Sequence, residues 1–181
     1  MTGEPVENGS CVEVRIYSIA TSLTESIVFL DEIKGSRILP IWIGPAEAQA
    51  IAIKLSGFPS PRPMTHDLMF NFLKKTGISL RNVCINDMKG KTFFSYLFLE
   101  RKAGRRNDSF KMDSRPSDAL AMAVRFGCPI FVNERVFEKA QILAKPISED
   151  EVRQFRMNLI NLKPSDIIDN LRKKRTDSPE E

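Results

Sequence analysis

DSRPSDALAMAVRFGCPIFV, residues 113–132, reads as the end of a strand, a sharp turn, a helix and a second strand. Pro116 takes the first helical position, where its fixed φ fits and its missing N–H costs nothing. Gly127 follows the last apolar residue and supplies the left-handed stop. Between them Ala119, Leu120, Ala121, Met122, Ala123 and Val124 leave almost no polar face. Such a helix is expected to be buried on most sides, against a sheet or another subunit.

The same punctuation recurs upstream. GPAEAQAIAIKLSG (44–57) opens on Gly44-Pro45 and closes at Gly57, and MTHDLMFNFLKKTG (64–77) opens on Thr65 as N-cap and closes at Gly77. Strands are expected around these helices. Val12, Val14 and Ile16 alternate with polar neighbours, and apolar runs follow at 26–33 and 37–43. Pro40 removes a ladder donor from the third run, which places that run at an edge or breaks it. Residues 78–87 and 91–101 form a hairpin about Met88-Lys89-Gly90, with both faces of the second arm apolar, as in a central strand. A charged loop at 102–107 leads to a strand at 108–113, and 129–132 adds another.

The fold class that follows is α/β, of the α+β type: a compact, antiparallel-rich mixed sheet packed with three glycine-terminated helices. Residues 1–11 are expected to be disordered, 12–147 to form the domain, 148–172 a C-terminal helical extension and 173–181 a disordered tail. With 181 residues and 42% hydrophobic content, the chain can bury one proper core. No apolar run approaches the roughly 18 residues of a membrane span, and MTGEPVENGS lacks a signal peptide's basic and apolar segments. Three widely spaced cysteines (Cys11, Cys84, Cys128) fit reduced thiols. A soluble cytoplasmic protein without membrane contact is expected.

The formal net charge of +4 is uneven. Lys89, Lys91, Arg101, Lys102, Arg105, Arg106 and Lys111 face only Glu100 and Asp108 between residues 89 and 111. That segment is the best electrostatic footprint for nucleic acid, with Arg101, Lys102, Arg105 and Arg106 contacting phosphates. Its plainer reading is a solvated loop.

LPIWIGPAEAQAIAI (39–53), RPMTHDLM (62–69) and DSRPSDALAMAVRFGCPIFV (113–132), in this order and spacing, resemble the bifunctional nuclease domain family, a bacterial and plant group. The likeness covers about residues 12–140, and FRMNLINLKPSD (155–166) resembles what often follows the domain. The resemblance implies an α/β fold, oligomer formation and cleavage of both RNA and DNA. It carries no catalytic residues to this chain, so the site is argued from chemistry.

Phosphodiester hydrolysis needs an activated water, charge neutralisation at phosphate and help for the departing oxygen. Carboxylates on Mg²⁺, with a histidine base or an arginine clamp, supply these. The matched stretches hold that inventory. Asp113, Asp118, Glu47 and Asp67 are candidate Mg²⁺ ligands; Asp113, Arg115, Asp118 and His66 are the candidate catalytic set. Glu47, Asp67 and Asp118 also fall in first helical turns, where a carboxylate is stabilised by the helix dipole alone. Asp113 and Arg115 equally suit a local ion pair at the turn. His66, the single histidine, suits an exposed structural role, and Trp42 suits the core or a subunit interface.

Two functions therefore compete. One is a metal-assisted nuclease of low sequence specificity. The other is a non-catalytic oligomeric binding or regulatory module whose acids cap helices. No G-x-x-x-x-G-K-[ST] loop, G-x-S-x-G elbow or zinc-ligand spacing is present.

Overall fold

The computed structural model describes residues 10–22, 24–103, 106–145 and Met157. Its elements run β1 (Cys11–Thr21), β2 (Ser26–Glu32), β3 (Arg37–Ile43), α1 (Pro45–Ser56), α2 (Thr65–Lys75), β4 (Ile78–Lys89), β5 (Thr92–Ala103), β6 (Arg106–Ser114), α3 (Pro116–Phe126), β7 (Ile130–Asn133), α4 (Glu134–Lys139) and β8 (Leu143–Ala144). The strands form one mixed, mostly antiparallel sheet in the order β6-β5-β4-β7-β1-β2-β3-β8. The fold class is the α/β type expected.

Two antiparallel meanders, β1-β2-β3 and β4-β5-β6, are joined by β7. Two hairpins and then α3 return the chain across the sheet, so β7 enters running the same way as β4. It pairs parallel to β4 and antiparallel to β1. The helices cover one face: Ile51 of α1, Leu73 of α2 and Ala119–Ala123 of α3 share a buried cluster with Val28, Leu30, Val83, Ile85, Leu97 and Leu99. The opposite face of β2 is also buried, with Ile27, Phe29 and Ile38 packed against Tyr17, Trp42 and Leu143. No helix among the described residues is long and apolar enough to cross a membrane.

Several expectations hold in detail. α3 is buried almost all round, and Gly57, Gly77 and Gly127 adopt positive φ at the three helix ends. β8 reaches only Arg37 and Ile38 of β3, so among the described residues Pro40 has a strand partner on the β2 side alone. Others need correction. β5 and β6 stay paired as far as Ala103–Arg106, so Arg101, Lys102 and Arg106 lie on hairpin arms where a loop at 102–107 was expected. Runs of charge do not break a strand when its edge faces water. β5 is fully buried on only one face: Ser95, Leu97 and Leu99 point to the helices, whereas Phe94, Tyr96 and Phe98 are half-exposed. Thr65 is the first helical residue and Met64 the N-cap. α1 buries only Ala48, Ala50 and Ile51 deeply, and Leu55 is exposed. α4 and β8 were not expected. The extension at 148–172 and the tail at 173–181 lie outside the described residues, apart from helical Met157.

Candidate active site

Three helix starts meet on the covered side of the sheet. α1 begins at Pro45 after Gly44, and α3 at Pro116 after Arg115; neither N-cap side chain caps its helix. The free amides and dipole at each start favour carboxylates in the first turn, which Glu47 and Asp118 provide. α2 contributes His66 from its own first turn.

Arg115 links them. Its Nη1 is 2.9 Å from Oε1 of Glu47, its Nε donates to Oδ2 of Asp118 at 2.8 Å, and its Nη2 donates to Oδ1 at 3.1 Å. Nε2 of His66 lies 3.1 Å from that same Oδ1. An ionised carboxylate only accepts, so Nε2 carries the proton in this bond, and in the matching neutral tautomer the lone pair is on Nδ1. Burial would raise the Asp118 carboxyl, but Arg115 and His66 outweigh it and hold the group below its ordinary value. Asp118, followed by Glu47, pushes the Arg115 guanidinium further up, so it stays charged. The Arg115 side chain is 66% exposed, which leaves one face of its charge open to an anion.

A cleft of about 280 Å³ adjoins this cluster, lined by Trp42, Gly44, Lys91, Thr92, Arg115 and Ser117 among others. Lys91 comes from the β4–β5 turn, where Gly90 has φ 59°. A Cβ at Gly44 would meet the Glu47 carboxylate, which folds back over it, so a side chain there would have to displace that carboxylate.

Glu47, His66, Arg115 and Asp118 are thus brought together. Asp67 is not. Its Oδ1 takes Nε of Arg125 at 2.8 Å and its Oδ2 takes the Met64 N–H at 3.0 Å. Arg125 also donates to the carbonyls of Ala121 and Ala50, tying all three helices together. Burial raises the Asp67 carboxyl, yet Arg125 and the Met64 amide bring it below its ordinary value. Asp113 lies elsewhere again. It pairs across β5 with Tyr96 and so shares that residue's face, the one turned away from α3. Among the described residues no three His, Cys, Asp or Glu side chains are grouped so as to hold a metal ion. The four proposed carboxylates therefore do not form one Mg²⁺ site: Arg115 engages two, Arg125 a third, and the sheet separates the fourth.

Of the expected phosphate contacts, Arg101 is exposed on β5, Lys102 and Arg106 occupy paired backbone positions, and Arg105 lies outside the described residues. Sequence reasoning missed Lys91 as a cleft residue and Arg125 as a clamp. Arg125 did carry a signal, since a charge that follows six apolar helical residues and is buried with them needs a partner. Lys91 carried none, because where a hairpin turn points is a tertiary matter.

A family model described as the bifunctional nuclease domain matches residues 28–145. An uncharacterized protein of Mycobacterium tuberculosis is 37% identical over 165 residues, covering 85% of this chain and 96% of that protein. Bifunctional nuclease 1 of Oryza sativa subsp. indica is 28% identical over 133 residues, or 72% of this chain and 40% of the rice protein. Bifunctional nuclease 2 of Arabidopsis thaliana is 29% identical over 97 residues, or 54% of this chain and 29% of its own length. This chain thus spans well under half of either plant relative.

Proposed function

Because this chain belongs to the bifunctional nuclease domain family, we propose that it is a cytoplasmic nuclease that hydrolyses phosphodiester bonds of RNA and DNA with low sequence specificity. The observation that carries the reading is the Glu47–Arg115–Asp118–His66 cluster, whose Arg115 lines a cleft. In this mechanism Arg115 and Lys91 bind the scissile phosphate and neutralise charge on its oxygens. Asp118 fixes the imidazole through Nε2, and Nδ1 of His66 removes a proton as water attacks phosphorus and the P–O bond to the leaving strand breaks, its oxygen taking a proton from solvent. Glu47 holds the second edge of the Arg115 guanidinium.

The donor set does not fit a four-carboxylate Mg²⁺ centre, and no step here is routed through the ion. Cleavage assays on single-stranded RNA and double-stranded DNA, with and without EDTA, separate the two chemistries. Persistence in EDTA fits the His66–Asp118 pair. Loss in EDTA, restored by Mg²⁺, would put Glu47 and Asp118 on the ion in place of Arg115.

Arg115→Ala and Asp118→Asn are each expected to reduce cleavage by about 100-fold or more. The stability cost of Asp118→Asn should be about 1 kcal/mol or less. Full activity in both variants, with only a lowered melting point, would sink this site. The second reading, a non-catalytic oligomeric binding or regulatory module, would then stand. It is favoured by one observation: the site's carboxylates already have partners in Arg115 and His66.

A further inference from the structure

The face of β4, β5 and β6 turned away from the helices carries a second cleft, of about 430 Å³. Cross-strand pairing sets Asn82 opposite Phe98, Cys84 opposite Tyr96, and Lys111 and Asp113 opposite Phe98 and Tyr96 on the other side. These residues share one face because strand partners do. The cleft is lined by Arg81, Asn82, Tyr96, Phe98, Lys111 and Arg135, among others.

Two features of this cleft point to a ligand. Tyr96 and Phe98 are half-exposed rings side by side on one strand. Three cations surround them. Lys111 Nζ stands 5.2 Å from the Tyr96 ring centroid, Arg135 is anchored by Nε and Nη2 to the carbonyl and side chain of Asn86, and Arg81 pairs with Glu100 at 3.0 Å. The acidic groups nearby are Glu100, held by Arg81; Asp87, held by Lys139; and Asp113, exposed on the outer strand.

We propose that this cleft binds an unpaired nucleotide of single-stranded nucleic acid. The base stacks on Tyr96 and Phe98, and Lys111, Arg135 and Arg81 meet the flanking phosphates. Aromatic rings beside cations on an open sheet face suit a strand whose bases are splayed out, and a duplex cannot offer them. The proposal takes the kind of polymer from the nuclease reading above, but its site is on the opposite face from Arg115 and is tested by binding alone.

The test is fluorescence anisotropy of a labelled 12-nucleotide single strand containing adenine and cytosine, and of its duplex, in EDTA, with the oligonucleotide recovered intact afterwards. The parent protein should bind the single strand more tightly than the duplex. Tyr96→Leu should weaken single-strand binding about tenfold and leave duplex binding unchanged, while Tyr96→Phe retains it. Lys111→Gln, on the exposed outer strand, should lower the log–log salt slope for the single strand by about 0.7. A folded Tyr96→Leu protein that binds single strand like the parent, or loses both forms equally, overturns the proposal. So does an unchanged slope in Lys111→Gln, which decides the matter if Tyr96→Leu does not fold. Binding of neither form by the parent also overturns it and leaves the face to a protein partner. Loss of cleavage in Arg115 variants with this binding intact supports both sites; unaltered cleavage in those variants removes only the first.

Discussion

Arg125 is a charged side chain at the end of the apolar run 119–124 of α3, and it is 7% exposed. Its partner, Asp67, is by sequence a candidate metal ligand, and the two roles make opposite demands. As the counter-charge of a buried guanidinium, Asp67 is structural: Asp67→Asn is expected to cost about 3 kcal/mol, the low end for leaving a buried charge uncompensated. A thermal melt reads this directly. A variant that melts with the parent yet loses all cleavage would return Asp67 to the catalytic set. Acid titration adds a second check. Both Asp67 and Asp118 are held below their ordinary value of 3.8 in the fold. A carboxylate depressed in the folded state contributes its full stability above the unfolded value and loses it as pH falls through the folded one. The melting temperature should therefore drop below about pH 4, and Asp67→Asn should flatten that drop. Neighbouring first-turn acids thus do different work, since Asp118 meets an exposed arginine and Asp67 a buried one.

The β5–β6 hairpin carries the expected phosphate-binding residues on its arms and not in a loop. Arg101, Lys102, Arg105 and Arg106 replaced together by Ala should weaken DNA and RNA binding alike, with the duplex log–log salt slope falling by about 0.9 for each phosphate no longer neutralised. An unchanged slope would reduce these residues to a solvated edge. The hairpin also shows where sequence reading stops. Apolar alternation and the Gly90 turn reveal both arms of the neighbouring β4–β5 hairpin, and the Pro-start, Gly-stop punctuation locates α1 and α3, as Thr65 and Gly77 locate α2, to within a residue or two. Charge, however, reads as loop in a sequence, and that reading shortens β6. The site is legible in part for a similar reason. First-turn acids at 47 and 118 and a basic residue at 115 are visible as types, but their meeting follows from three helix starts converging. Asp113 is misgrouped because it is close to Arg115 in sequence. Strand alternation turns its side chain to the far face, and a two-residue separation across a strand-to-helix turn does not reveal that.

Taken whole, the molecule covers its sheet on the helix side but leaves large apolar groups facing water. Leu55 of α1 is 53% exposed, and Leu68 and Phe72, one turn apart on α2, are 64% and 63% exposed. Such side chains mark interaction surfaces when they cluster, so a homo-oligomer is expected in sedimentation at micromolar concentration, and Leu68→Glu with Phe72→Glu should dissociate it. A parent protein that remains monomeric contradicts this. The position of β7 has a consequence of another kind. During synthesis the first meander is complete once residue 43 has emerged, but the β1 edge that β7 will occupy stays bare until residue 130 follows. At ordinary translation speed that interval is on the order of ten seconds. For that time a strand whose alternate residues are apolar, with its amides and carbonyls unpaired, is open to the matching edge of another nascent chain. The sheet is sealed by its shortest central strand, so the hazard in making this protein lies on the ribosome and ends only when four late residues arrive.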